Sequence, residues 1–230
     1  RRHTRFKCDW SSDVCSSDLN LKVMNETELR IQQEAHTLFM QYGLKSVSMD
    51  DIASKLGISK KTIYQFFSDK EQLVIRVITG ILSKNQETCD YDRKRASDAI
   101  HEIFLAMQQM AELFHQMNPS VLFDMHKYYP EAYKVFLKHK NNYLYSVIKE
   151  NIIRGINEGL YRSELNVETI TRFRLESIII PFNPEFQHQL KSNLSVVSEE
   201  ISTHFLFGLV SQKGYKIILK YIQQKIKSKN

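Results

Sequence analysis

The 230 residues are 42% hydrophobic and 25% charged, with 7 glycines and 4 prolines. Such a chain buries a substantial core as one large or two smaller domains, and its low turn-residue content excludes an all-β architecture. The formal net charge of +6 is compatible with a polyanionic partner, but it does not establish one, because much of the excess sits in terminal lysines and arginines that water solvates equally well.

The leading stretch, residues 1–23, is rich in Ser and Asp and shows no helical or strand period. It is expected to be a non-native or disordered leader and is set aside from the functional reading. It holds Cys8 and Cys15, while Cys89 stands alone further on, so no disulfide framework is expected and a reducing cytoplasm is the expected location. No apolar run approaches the roughly 18 residues that a membrane span requires, so no membrane partner is expected.

From residue 25 the pattern turns helical. Ile31, Ala35, Leu38, Phe39 and Tyr42 recur on one helix face, and Gly43 follows where a left-handed cap would sit. Ser48 with Asp51 reads as a capping box, and Val47 with Ile52 as a hydrophobic staple, for a short helix over 49–56 that ends at Gly57. Ser59 caps a second short helix running to about Phe67, and Ser68 with Glu71 opens a longer one reaching about Thr88. Residues 48–67 therefore read as helix, glycine turn, helix. The pattern alone fits a helix-turn-helix and two short helices of an ordinary bundle equally well.

The second short helix carries the chemistry. Lys60, Lys61, Thr62, Tyr64 and Gln65 fall on or near its outward surface, with Ile63 and Phe67 one turn apart as anchors. Lysines and hydroxyls at a helix start suit phosphate, and Gln65 suits an adenine edge.

Here the sequence resembles a known family. Ile31, Ala35, Leu38-Phe39 and Tyr42-Gly43, then residues 48–53, then 56–60, then Thr62-Ile63-Tyr64, Phe67, Lys70-Glu71 and Leu73 stand in the order seen in the TetR/AcrR family of transcriptional regulators. The resemblance covers about 26–85 and implies a DNA-binding domain over 24–85. It implies phosphate-backbone roles for Ser48, Ser59, Thr62, Tyr64 and Lys70, and base reading for Lys61 and Gln65. Phe66 departs from the usual histidine or tyrosine and is expected to touch sugar or a thymine methyl instead. Glu26, Glu28, Glu34, Asp50, Asp51 and Asp69 offset the lysines, so non-specific affinity should be modest and steeply salt-dependent.

Beyond Asp90 the pattern continues as helices over 100–117, 121–128, 130–159, 167–180 and 196–210, with a break at 181–195 and a lysine-rich last helix after Gly214. The expected fold is all-α, a three-helix helix-turn-helix domain followed by a larger helical domain, 86–230, for effector binding and dimerisation. Phe104, Met107, Phe123, Met125, Tyr128, Tyr133 and Phe173 are candidate pocket residues, although stripes at this spacing also serve as plain core. Arg172, Arg174 and Glu176 could face a polar effector or solvent. The apolar runs 178–180 and 205–207 exceed what one face of a surface helix needs, which makes their helices the candidates for a homodimer interface.

The expected function is a sequence-specific regulator, a repressor relieved by an unknown small-molecule effector and acting as a homodimer on double-stranded operator DNA. The helix after Ser68 would couple the domains by changing the separation of the two recognition helices. A helical hydrophobe-binding module without DNA-binding activity is the alternative. No phosphate loop, nucleophile elbow or His-Glu-x-x-His element marks an enzyme, and His101, His115, His126 and His139 form no paired metal-ligand motif, so no cofactor, metal or catalytic residue is expected.

Overall fold

The computed structural model describes residues 16–115, 117–190 and 192–227, with side chains described from 26 to 223 within those spans. The fold is all-α, with an isolated antiparallel bridge between Tyr161 and Val210. Cys8 and Cys15 lie outside the described residues, as does most of the leader, but α1 (Ser16–Tyr42) already begins within the leader's last residues.

Gly43 closes α1 with φ +88, as the sequence suggested. Then α2 (Met49–Leu56) starts at the Ser48–Asp51 capping box and stops at Gly57, φ +67, where an L side chain would be strained. Next, α3 is a single turn (Lys60–Tyr64) with Ser59 as its cap, shorter than the sequence suggested. The Gln65 and Phe66 N–H groups bond back only three residues, to Thr62 and Ile63, which tightens the end of the turn and stops it early.

The long helix α4 (Lys70–Arg95) is capped by Asp69, not by Ser68. The Asp69 carboxylate accepts the Gln72 N–H at 2.8 Å, and the Gln72 side chain in turn accepts the Ser68 N–H at 2.6 Å. The carboxylate wins because Asp69 sits three residues before an amide that can answer it. This helix also runs past Thr88, so the boundary expected at residue 85 falls inside an element.

The chain continues through α5 (Ala99–His115), α6 (Ser120–Tyr128) and α7 (Pro130–Lys138). The helix expected over 130–159 is interrupted by a π-helical segment, His139–Leu144, before α8 (Tyr145–Asn157). Next come α9 (Val167–Ile179), a 3₁₀ turn (Ile180–Phe182), the short α10 (Pro184–Leu190), α11 (Leu194–Leu209) and α12 (Gln212–Lys227). Asn183 and Pro184 thus start a helix within the stretch read as a break.

One core knits the first helices to the rest. Ile31, Phe39, Ile52, Ile63, Phe67, Leu73 and Val77 from α1–α4 pack together with Val121 and Met125 of α6 and Ala132 of α7. A second core joins Ala99 and Ile100 of α5 to Tyr161, Phe205, Leu206 and Leu209. Both are built from large apolar groups at helical spacing, the main source of stability in a fold of this kind.

Candidate nucleic-acid interface and an internal cavity

Ile63, completely buried, and Phe67 anchor the short α3 and its following turn to the body. That fixes which side faces out. Ser48, Ser59, Lys60, Lys61, Tyr64 and Gln65 are exposed and Thr62 is half-buried, so the candidates of α2 and α3 share one surface.

Several of them are already engaged there. The Ser48 hydroxyl and backbone N–H both donate to the Asp51 carboxylate at 2.7 Å, which holds that carboxyl below the usual range, and the hydroxyl accepts the Asp51 N–H at 3.1 Å. The Ser59 hydroxyl accepts the Thr62 N–H at 3.1 Å and lies 2.8 Å from the Thr62 hydroxyl. Lys60 forms an exposed ion pair with Asp50 at 2.8 Å, tying the start of α3 to the first turn of α2. That bond raises the Lys60 pKa. Lys61, Tyr64 and Gln65 point outward without such a tie among the described residues.

Two candidates are placed differently from the sequence expectation. Phe66 is half-buried against the first core, which withdraws its ring from the outer surface. Lys70 turns inward: its ammonium donates to the Leu44 carbonyl at 2.5 Å and lies over the rings of Phe39 and Tyr129. Burial lowers its pKa, opposed by Asp124 and Asp51. A cation over aromatic faces that also answers a free carbonyl is a structural clamp on the turn after α1.

That turn is held from the other side by α6. The buried Asp124 carboxylate accepts the Lys45 N–H at 3.0 Å, the Asn118 N–H donates to the Met40 carbonyl at 2.6 Å, and the Tyr129 hydroxyl donates to Leu44 at 3.3 Å. A Cβ on Gly43 would meet the Ser120 hydroxyl at 2.7 Å and Asp124 at 3.0 Å, so glycine is required by packing as well as by φ.

Directly behind this junction lies a cavity of about 250 Å³. Met40 of α1, Ile78 and Leu82 of α4, and Val121, Leu122 and Met125 of α6 form the wall nearest the junction. The rest of the lining comes from α5, Phe136 of α7, the π-helical segment, α8, α9, the 3₁₀ turn and α11, and it is apolar apart from a few polar groups.

Of the seven pocket candidates, only Met125 lines this cavity. Phe123, Tyr128 and Phe173 are on the surface. Phe104 packs in the second core against Tyr221, Met107 is buried away from the cavity wall, and Tyr133 stacks with His126 and Phe136 in the first core. Helical spacing shows that these residues share a stripe, but not which neighbour the stripe meets. Met110, Leu113, Phe114 and Phe136 take their place in the wall. All but Phe136 lie on α5, where the Met and Phe repeat was visible in the sequence.

Arg172 is exposed and pairs with Glu168 at 2.9 Å, while the exposed Glu176 pairs with the buried Lys140 of the π-helical segment at 2.9 Å. Arg174, two residues from each and so on a different face of α9, lines the cavity. Among the described residues, no group of three or more His, Cys, Asp or Glu could hold a metal ion, and no helix is long and apolar enough to cross a membrane.

Residues 31–77 match the family model described as bacterial regulatory proteins, tetR family. An HTH-type transcriptional regulator of Bacillus subtilis, YvaF, is 29% identical over 143 residues, which is 57% of this chain and 73% of that protein. A TetR-family regulator from Agrobacterium tumefaciens superposes with a TM-score of 0.69 over 82% of this chain and 100% of the other, at 16% identity. A transcriptional regulator from Saccharomonospora viridis, solved in complex with choline, gives a TM-score of 0.66 over the same shares at 16% identity.

Proposed function

The chain belongs to the TetR family of DNA-binding transcriptional regulators, and from that premise we propose that it is a repressor released from its operator by a small molecule that enters the α1–α6 cavity. It acts as a homodimer in the cytoplasm and catalyses no reaction. Residues 24–85 contact DNA and lend Met40, Ile78 and Leu82 to the cavity, while those from 86 onward supply the rest of the effector site and pair the subunits.

The observation that carries this reading is a shared wall. Met40 and Met125 line the cavity, and each belongs to a helix that holds the turn after α1. A ligand that spreads α6 from α4 therefore pulls directly on Gly43–Lys45, the chain entering α2. Coupling of this kind is typically worth about 1–3 kcal/mol, or 5–150-fold in affinity. The bridging helix α4 contributes, and α6 adds a second connection that the sequence did not disclose.

Ser48, Ser59, Thr62 and Tyr64 are assigned to the phosphate backbone, with Lys61 and Gln65 reading bases. Lys60 reaches phosphate only by exchanging Asp50 for it. Lys70 acts through the Leu44 carbonyl, and Phe66 through the core, so each supports the reading surface from beneath. The dimer reading is supported by exposed apolar groups on α9 and α11: Phe173 is 55% exposed, Val196 54% and Phe207 37%. Two copies paired there would present two reading surfaces to a palindromic operator.

A thermal-shift screen of apolar compounds, with each hit retested against a bound operator duplex, tests this directly. Compounds that raise the Tm should also release the duplex, and both effects should vanish in Ile148→Trp, which fills the cavity. Hits that occupy the cavity and leave operator affinity unchanged would contradict it.

A further inference from the structure

We infer that the effector is an amphiphilic carboxylate whose apolar body fills the cavity and whose anionic head is received by Arg174 and Ser198. The inference rests on the proposal that this cavity is the effector site and names the chemistry of what it takes.

The argument begins with charge. Two carboxylates, Asp92 and Glu102, and one guanidinium, Arg174, line the cavity beside His139 and Cys89, and the three charged groups are not equivalent. Glu102 is answered by Arg154 at 3.1 Å. Asp92 is answered by Arg95 at 2.7 Å and by a short hydrogen bond from Gln109. Among the described residues Arg174 has no carboxylate partner: its guanidinium donates to two hydroxyls, Ser202 at 2.9 Å and Ser177 at 3.5 Å, and lies 4.9 Å from the centre of the Phe205 ring.

Arg174 keeps part of its surface, as a residue lining a cavity must, yet burial alone holds its guanidinium down to about 10. It remains a cation at any physiological pH. A charge in apolar surroundings without a counter-charge is costly, and proteins rarely keep one that nothing answers. The planar fork of an arginine suits a carboxylate, which can accept two parallel N–H bonds.

A second, independent observation points to the same place. The Ser198 hydroxyl is buried, lines the cavity and has no hydrogen-bond partner among the described residues. Ser198 and Ser202 lie four residues apart on α11, on one face and one turn from each other. A donor without an acceptor therefore stands beside the arginine without a counter-ion. Buried polar groups are seldom left unanswered, and one oxyanion answers both.

Size and lining set the rest of the ligand. A dry cavity of about 150 Å³ takes benzene, so the 250 Å³ here accommodates a medium-length alkyl chain or an arylalkyl group. Met110, Leu113, Phe114, Ile148 and Ile178 supply an apolar surround. A cationic head of the same size would meet Arg174 and be repelled.

Isothermal titration of the full chain with decanoate, decanol and decyltrimethylammonium, each below its micelle concentration, tests the inference. Decanoate should bind at least about tenfold more tightly than decanol, a 1.4 kcal/mol difference, and the cation should not bind measurably. In Arg174→Met, which keeps an apolar stem, the preference should fall to parity while decanol still binds. That variant should also melt higher than the parent without ligand, because an unanswered charge has been removed. Parent binding that does not distinguish decanoate from decanol overturns the inference, and so does an Arg174→Met protein that keeps the preference. Selective decanoate binding without operator release upholds the head-group inference and refutes the effector reading. Operator release by a neutral compound, with no carboxylate preference, does the reverse.

Discussion

The Asp124 carboxylate accepts the backbone N–H of Lys45 at 3.0 Å, joining two residues 79 positions apart in the chain. Asp124 is buried on α6, and Lys45 belongs to the turn that leads into α2. Removing the acceptor would leave a backbone donor poorly answered at the junction of cavity and reading surface. Asp124→Ala should therefore lower stability by about 1–3 kcal/mol, seen as a drop in Tm. Asp124→Asn keeps an acceptor oxygen and should lose clearly less.

The same junction sets a contrast between two glycines. Gly57 has φ +67 and open space where a Cβ would go, so Gly57→Ala should cost only the left-handed backbone term, about 1–2 kcal/mol. Gly43→Ala meets the Ser120 hydroxyl and Asp124 as well, and should cost more. Denaturation of Gly43→Ala with and without Ser120→Ala checks the cause: the second substitution should recover part of the loss.

On the reading surface the two adjacent lysines should separate by salt. Lys61 has no carboxylate partner among the described residues, whereas Lys60 is paired with Asp50. Lys61→Ala should reduce the slope of log affinity against log salt by about 1. Lys60→Ala should change it less, and Asp50→Asn should steepen it by freeing Lys60. Anisotropy titrations of an operator duplex over a salt series give all three slopes.

Histidine burial gives a pH dependence with a definite sign. Burial lowers the pKa of His139 from the ordinary 6.5, and likewise that of His36. Below about 6.5 the unfolded chain takes up protons that the folded one refuses, so this contribution to stability is lost as pH falls from 6.5 through the lowered values. His139→Gln should show a smaller decrease in Tm between neutral and mildly acidic pH than the parent, and His36→Gln the same.

The local geometry of α2 and α3 was legible because its determinants are local. Ser48 with Asp51, Gly57, and Ser59 with Thr62 each act within a few residues, and their spacing records what they do. The neighbouring start at Asp69 was missed by one position, since Ser68 and Asp69 both offer an oxygen and geometry decides between them. The roles of Lys70 and Asp124 were not legible. Their partners, Leu44 and Lys45, are 26 and 79 residues away, and nothing in a lysine or an aspartate says that it serves a distant backbone group. The cavity failed for a related reason: helical period groups Phe123, Tyr128 and Phe173 with apolar neighbours, but only packing decides which stripe faces an interior. Arg174 stood among polar candidates in the sequence, and the pairing of Arg172 and Glu176 elsewhere is what singles it out.

Selection from a pool of random duplex DNA tests the central claim most directly, run on the full chain beside Lys61→Ala/Tyr64→Ala, whose two side chains are exposed and carry no core packing. The parent should enrich an inverted repeat, and the variant should enrich none under the same conditions. Failure of both to enrich any sequence at low salt, or enrichment of the same repeat by both, would contradict the assignment of α2 and α3 as the DNA-reading surface.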